Sequence, residues 1–160
     1  MFVELRIEQH ADRQAVYELH LAAFGDHGRV VADLVDGLRQ AMTDKDGLSL
    51  VAEQGGEVIG HVMFTHSLLD APRRLVDVQV LSPVAMHPGW QRQGVGSALI
   101  QGGLQLMAER QVPVVFLEGD PGYYARFGFA LAPGKASANR PCAFLTLPSK
   151  PSGCPHTSRG

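Results

Sequence analysis

The chain has 160 residues, 45% hydrophobic and 19% charged, with 14 Lys and Arg against 16 Asp and Glu and a formal net charge of -2. One globular domain is the expectation for that length, and so balanced a charge leaves no basic footprint for nucleic acid or an anionic membrane. No apolar run reaches the roughly 18 residues that span a bilayer, and the start, Met1 to Arg6, lacks the basic-then-apolar order of a secretory leader.

Phe2 to Ile7 alternates apolar and polar residues and predicts a first strand. From Ala11 to Phe24 the set Ala15, Val16, Leu19, Ala22 and Ala23 has helical spacing, with Gly25 as a stop. Val30, Val31, Leu34, Val35 and Leu38 predict a second helix, and Thr43 to Gly47 is turn chemistry. Leu48 to Ala52 and Val58 to Leu69 flank Gln54-Gly55-Gly56-Glu57, a hairpin whose glycines supply positive φ. After the turn at Asp70 to Arg74, Leu75 to Met86 predicts a long strand, and Pro83 marks a bulge or an unpaired edge within it.

Gln91 to Gln111 predicts a helix, and Val114 to Leu117 a short buried strand. Asp120-Pro121 has the chemistry of a helix start and Gly128 that of its end. Phe129 to Leu131 and Cys142 to Leu147 predict two paired strands, and residues 148–160 a loose tail after a single domain over 1–147. The order β-α-α-β-β-β-α-β-α-β-β predicts an α/β (α+β) fold: a mixed, mostly antiparallel sheet of about seven strands flanked by about four helices. Cys142 and Cys154 form no Cys-x-x-Cys pair, so free thiols in a reducing cytoplasm are expected. The edge near Cys142 to Leu147 is a candidate for pairing in a homodimer.

The stretch from Leu81 to Ile100 carries the chemistry. A strand runs into a loop, and Gly94 and Gly96 open a helix whose first N–H groups have no intrahelical partner. That arrangement is an anion cradle suited to a phosphate or pyrophosphate, with Arg92 near enough to add charge. The Gly-x-x-x-x-Gly-Lys-Ser/Thr loop of nucleotide hydrolases is absent. A dinucleotide fingerprint fails because Leu99 stands where its third small residue belongs. His61 and His66 lie five apart on one strand and face opposite ways, and neither His-Glu-x-x-His nor Gly-x-Ser-x-Gly occurs, so no metal site is expected.

Gln91-Arg92-Gln93-Gly94-Val95-Gly96 matches the Gln/Arg-x-x-Gly-x-Gly/Ala pattern, and here the chain resembles the GNAT superfamily of N-acetyltransferases. Tyr123-Tyr124-Ala125-Arg126-Phe127-Gly128-Phe129 is similar to that family's aromatic-Tyr-x-x-x-Gly-Phe signature, and Gly119-Asp120-Pro121-Gly122-Tyr123 looks like the variant found in a bacterial subgroup. The resemblance implies acetyl-CoA as co-substrate and a bulged, splayed central strand. Val84, Ala85 and Met86 would offer backbone groups to pantetheine and to the thioester carbonyl. The N–H groups of Gln91, Arg92, Gln93, Gly94, Val95, Gly96 and Ser97 would hold the pyrophosphate. A primary amine, on a small molecule or a peptide, would attack directly, with Tyr124 in the position of the general acid and Tyr123 as its neighbour and alternative. A non-catalytic acyl-CoA sensor is the competing reading. For the base, Glu118 is the foremost candidate, beside His66, Asp120, His87 and a water chain. The acceptor pocket would involve Phe24 to Thr43 and Pro133 to Pro141. In one respect the chain departs from the family: no cofactor-touching asparagine follows the fifth strand, where it reads Leu117-Glu118-Gly119-Asp120-Pro121.

Overall fold

The computed structural model describes residues 2–43, 46–131 and 143–148. Its elements are β1 (Glu4–Ile7), α1 (Arg13–Phe24), α2 (Gly28–Ala41), β2 (Leu48–Gln54), β3 (Glu57–Ala71), β4 (Arg74–Met86), α3 (Val95–Glu109), β5 (Val114–Gly119), α4 (Pro121–Tyr124), β6 (Ala130–Leu131) and β7 (Ala143–Pro148). One mixed sheet runs in the order β1-β2-β3-β4-β5-β7-β6. Its only parallel pair among the described residues joins β4 to β5, across the connection that contains α3. That connection has the length a parallel crossover needs.

Local chemistry explains the joints. Gly55 and Gly56 take φ of 59° and 83°, the two positive values a tight hairpin turn requires between β2 and β3. The helix expected from Gln91 begins only at Val95, because Arg92 and Gly94 hold positive φ and the chain turns there before it can coil. Asp120 caps α4 by accepting from the Gly122 N–H at 2.9 Å, and Gly128, at φ 93°, ends the 3-10 turn that follows.

Strand alternation divides the core into two layers. On one face Leu50, Val62, Phe64 and Leu81 pack against Leu99 and Ile100 of α3. On the other, Val51 and Met63 pack against Val16 of α1 and Val35 of α2. The second helix differs from its sequence pattern: Val30 and Leu34 are 71% and 49% exposed, while Gly28, Ala32 and Val35 are buried. A Cβ on Gly28 would lie 2.7 Å from the Leu21 backbone, so α2 turns its small residues onto α1. Ala15 and Ala22 are exposed, and their place in the α1 core is taken by His20, which is fully buried.

The last strands correct one expectation. β7 is not the terminal strand of the sheet but lies between β5 and the two-residue β6, which pairs with it at Leu145 and Thr146. Cys142, Cys154, the loop from Pro133 to Pro141 and residues 149–160 of the expected tail lie outside the described residues. Among the described residues no helix is long and apolar enough to cross a membrane.

Candidate active site

β4 and β5 pair only at Gln79–Val115 and Val80–Phe116. Beyond that point Pro83 offers no N–H and the strands part. β4 nevertheless stays on β3 as far as Met86, opposite Gly60, with a register break between Val62 and Phe64. The His87 N–H donates to the Ile59 carbonyl at 2.8 Å, toward β3. Alternation along the strand then turns the N–H groups of Met86 and Val84 away from β3, into the side that β5 has vacated. Ala85, between them, faces its own backbone to β3 and is 2% exposed.

At the mouth of this opening lies the start of α3. Its first intrahelical bond runs from the Ala98 N–H to the Gly94 carbonyl at 3.0 Å, which leaves the N–H groups of Val95, Gly96 and Ser97 without intrahelical acceptors. Gly94 makes the turn at φ 85°. Gly96 allows a close approach: a Cβ there would stand 2.9 Å from the Met86 sulfur and 3.4 Å from the Tyr123 hydroxyl. A cleft of about 590 Å³ gathers Met86, Gln91, Arg92, Gly94, Gly96 and Ser97 from the expected cofactor residues and adds Tyr123 and Arg126. Val95 contributes only backbone, since its side chain is 3% exposed and sits in the core. The Gln93 side chain donates to the Gly89 carbonyl at 3.0 Å and so staples the loop.

Arg126 was not foreseen as a site residue, although it stands inside the second motif. Its guanidinium lies 4.5 Å from the centre of the Tyr123 ring and donates to the Tyr123 carbonyl at 2.9 Å. With Arg92 it places two cations beside the positive end of α3, a setting that favours an anion of high charge. Three residues after Tyr123 on a helical turn is the spacing that puts both on one side, and that was the available signal.

The two tyrosines part company. The Tyr123 hydroxyl faces the cradle, as the Gly96 distance shows. Tyr124 does not line that cleft; its ring stacks edgewise on Tyr123 and Phe129 and covers Gly119, where a Cβ would be within van der Waals overlap of its ring. It therefore stands against the end of β5, the far wall of the opening. Glu118 is exposed and lies on β5 beyond its last residue paired to β4. Other base candidates have different work. Asp120 is the helix cap, and His87 accepts from the Gly89 N–H through Nδ1 at 3.1 Å. His66 binds Asp77 at 2.7 Å and pairs with Gln79, seven residues before Met86 along β4. Among the described residues no group of three His, Cys, Asp or Glu side chains is placed to hold a metal.

Comparison with known proteins agrees with this geometry. The family profile described as an acetyltransferase (GNAT) domain matches residues 4–132. The uncharacterized N-acetyltransferase YjhQ of Escherichia coli K12 is 32% identical over 123 residues, which cover 77% of this chain and 67% of YjhQ. A GNAT family acetyltransferase from Brucella melitensis, solved with acetyl-CoA, superposes with a TM-score of 0.77 at 31% identity and covers 94% of this chain and 90% of its own. YhbS from Escherichia coli, solved with CoA, superposes at 0.74 with 28% identity over 91% of this chain and 81% of its own. A chain with this sheet, this cradle and this match belongs to the GNAT acetyltransferase family.

Proposed function

We propose that the protein transfers the acetyl group of acetyl-CoA directly to a primary amine, on a small molecule or a peptide, within one domain over residues 1–147. The observation that carries this is the continuity of two backbone surfaces. The N–H groups at the start of α3 meet the open N–H groups of β4 at Met86, and CoA has a pyrophosphate for the first and an amide-bearing arm for the second. Solved relatives that hold acetyl-CoA and CoA support the choice of ligand.

In this reading Arg92 and Arg126 neutralise the phosphates. Pantetheine lies along β4, and the Val84 or Met86 N–H polarises the thioester carbonyl where negative charge develops. The amine nitrogen attacks, the new C–N bond forms and the C–S bond breaks. Tyr124 gives its hydroxyl proton to the leaving thiolate, a role its phenol suits because an ordinary tyrosine is protonated at neutral pH. Glu118, exposed at the open end of β5, takes the proton an arriving ammonium must lose.

Thermal unfolding with acetyl-CoA, desulfo-CoA and NADH in parallel tests the ligand. A CoA species at about 100 times its dissociation constant should add roughly 2.7 kcal/mol of stability. A melting temperature unmoved by any CoA species refutes the cradle assignment. Release of free CoA thiol with a panel of amines then tests the transfer, and binding without release on every amine leaves only a sensor.

A further inference from the structure

Beneath the face of the sheet opposite α3 lies a buried polar chain that the reaction described above does not use. His20 Nε2 and His61 Nδ1 are 2.9 Å apart, and His61 Nε2 is 2.8 Å from the Ser49 hydroxyl. Ser49 reaches Glu8 Oε2 at 2.6 Å, and Arg39 donates to both oxygens of Glu8. Both imidazoles are 0% exposed. The outer end, Glu8 with Ser49 and Arg39, borders a cleft of about 520 Å³.

Proton positions follow from the acceptors. Glu8, paired with Arg39, can only accept from Ser49. The Ser49 oxygen therefore accepts from His61 Nε2–H, His61 Nδ1 accepts from His20 Nε2–H, and His20 Nδ1 is left with a bare lone pair. That same atom is buried and has no hydrogen-bond partner. An orphaned buried acceptor is costly unless a donor visits it. Every bond in the chain points the same way, from His20 to Glu8, which is the polarity a proton needs to travel by successive hops. The inner end is also well placed. His61 is the register partner of Ala85, the residue between the two open N–H groups of β4, and α1, which carries His20, packs on β3 and β4.

We propose that His20, His61, Ser49 and Glu8 form a proton exit for the acceptor amine, entered at His20 Nδ1 directly or through one water. The inference rests on the transferase reading given above. Its proton balance closes. An ammonium acceptor loses one proton to become a nucleophile and a second after attack, when the nitrogen of the tetrahedral adduct is cationic. One proton is returned to sulfur by Tyr124, which refills from solvent, so one leaves overall. Glu118 serves the first loss and the buried chain the second. His20 Nδ1 takes the proton, its Nε2–H passes to His61, the His61 Nε2–H passes to Ser49, and the Ser49 proton passes to Glu8 at the outer cleft. Burial and the nearby Arg39 lower the His20 pKa to about 4, and burial, the neighbouring His20 and Arg39 hold His61 well below its ordinary value, so both rings are neutral at pH 7 and each keeps one unprotonated nitrogen. Arg39 is itself tied to Glu8 and to Asp36 of α2, which keeps its charge compensated. A weak base suits the second step, because the cationic adduct nitrogen is far more acidic than a free ammonium.

The test compares wild type with His20→Gln, Ser49→Ala and Ser49→Thr. His20→Gln keeps a donor toward His61 and removes the bare nitrogen. Ser49→Ala cuts the chain, and Ser49→Thr restores its hydroxyl. Expected are a fall of about tenfold or more in kcat at pH 7 for the first two, a kcat that now rises with pH or with added imidazole, and recovery in Ser49→Thr. The melting shift with acetyl-CoA should stay that of wild type, which separates a broken relay from a lost cofactor site. Unchanged pH profiles in well-folded variants overturn the relay. So does a uniform loss of kcat and cofactor binding that imidazole does not repair. Nitrogen NMR of the wild-type imidazoles decides the matter even if no amine is turned over: both rings must be neutral with the proton on Nε2, and a His20 protonated on Nδ1 overturns the proposal. Failure of the transferase reading shows instead in the wild type, as no CoA-induced shift or no thiol release.

Discussion

The two faces of the sheet do different chemistry by different means. On the α3 face the candidate site is made of backbone: orphaned helix N–H groups, the open N–H groups of β4 and glycines that let a ligand come close. On the α1–α2 face the polar atoms are side chains, His20, His61, Ser49, Glu8 and Arg39, drawn from five separate segments. Backbone sites tolerate almost any sequence except at the positions where geometry demands glycine or an odd φ. Side-chain networks demand every member and leave no local pattern. The first kind should resist single substitutions that keep the backbone; the second should fail at each link.

The sharpest contrast between the faces is at Tyr124, the side chain that the proposed transfer uses as its acid. Tyr124→Phe should lower kcat by about 100-fold or more while acetyl-CoA still raises the melting temperature. Tyr123→Phe, which removes the hydroxyl over Gly96, should instead weaken cofactor binding with a smaller loss in kcat. Steady-state kinetics on both variants check this, and reversal of the two phenotypes would move the acid to Tyr123.

Acid should find the other face first. His20 and His61 are neutral when folded and ordinary when unfolded, so the unfolded chain binds more protons once the pH drops below about 6.5. Stability is therefore full above that pH and is lost as the pH falls toward about 4. For His20 alone the loss amounts to about 3 kcal/mol, and His61 acts in the same direction. Urea unfolding at pH 7, 6, 5 and 4.5 reads it directly. His20→Gln should flatten the profile, and a wild-type curve level across that window would rule out neutral buried imidazoles.

The same contrast explains what was legible beforehand. The cradle and the tyrosine motif are contiguous, and glycine spacing reports backbone geometry, so Gly94, Gly96 and the arrest of pairing at Pro83 could be read from one stretch. Gly55-Gly56 gave the hairpin for the same reason. His20 could not be read, because it stands in an apolar helical pattern and its hydrogen-bond partner, His61, is 41 positions away on β3. The exposure of Val30 and Leu34 was hidden likewise: the small residues Gly28 and Ala32 mark the true contact face of α2, and hydrophobic spacing alone favours the larger neighbours. The position of β7 inside the sheet depends on β6 folding back beside it, a long-range choice that strand propensity does not encode.

A smaller effect isolates backbone geometry on the α3 face. A Cβ at Gly94 would meet nothing within 4 Å, so Gly94→Ala costs only the positive φ, about 1–2 kcal/mol, and should lower the melting temperature by a few degrees. If the turn relaxes to avoid that cost, the start of α3 shifts and acetyl-CoA binding weakens with it. Gly96→Ala is the complementary case. Its backbone is ordinary, but the new methyl must displace the flexible end of Met86, so it should disturb binding more than stability. Equal behaviour of the two variants would mean that φ at Gly94 is not what shapes the cradle.

The smallest effect lies at the N-terminal clip, where a salt bridge lets acid titrations of the two kinds be told apart. Arg6 donates to both oxygens of Asp12 at 2.7 and 2.9 Å and to Glu53 at 2.7 Å, and Asp12 also accepts the Gln9 N–H. The Arg6 hydrogen bond is the main cause holding the Asp12 carboxyl below its ordinary 3.8. A lowered carboxyl stabilises the fold above that ordinary value and loses its contribution as the pH falls through the folded one, so its window opens below the histidines' window. Asp12→Asn keeps the shape and one acceptor but drops the charge, and should cost about 1 kcal/mol at pH 7. Its difference from wild type should stay constant from pH 7 to 5 and shrink only in stronger acid. A difference that already shrinks between pH 6.5 and 5 would tie the clip to the buried imidazoles, and the two acid responses could no longer be treated as independent.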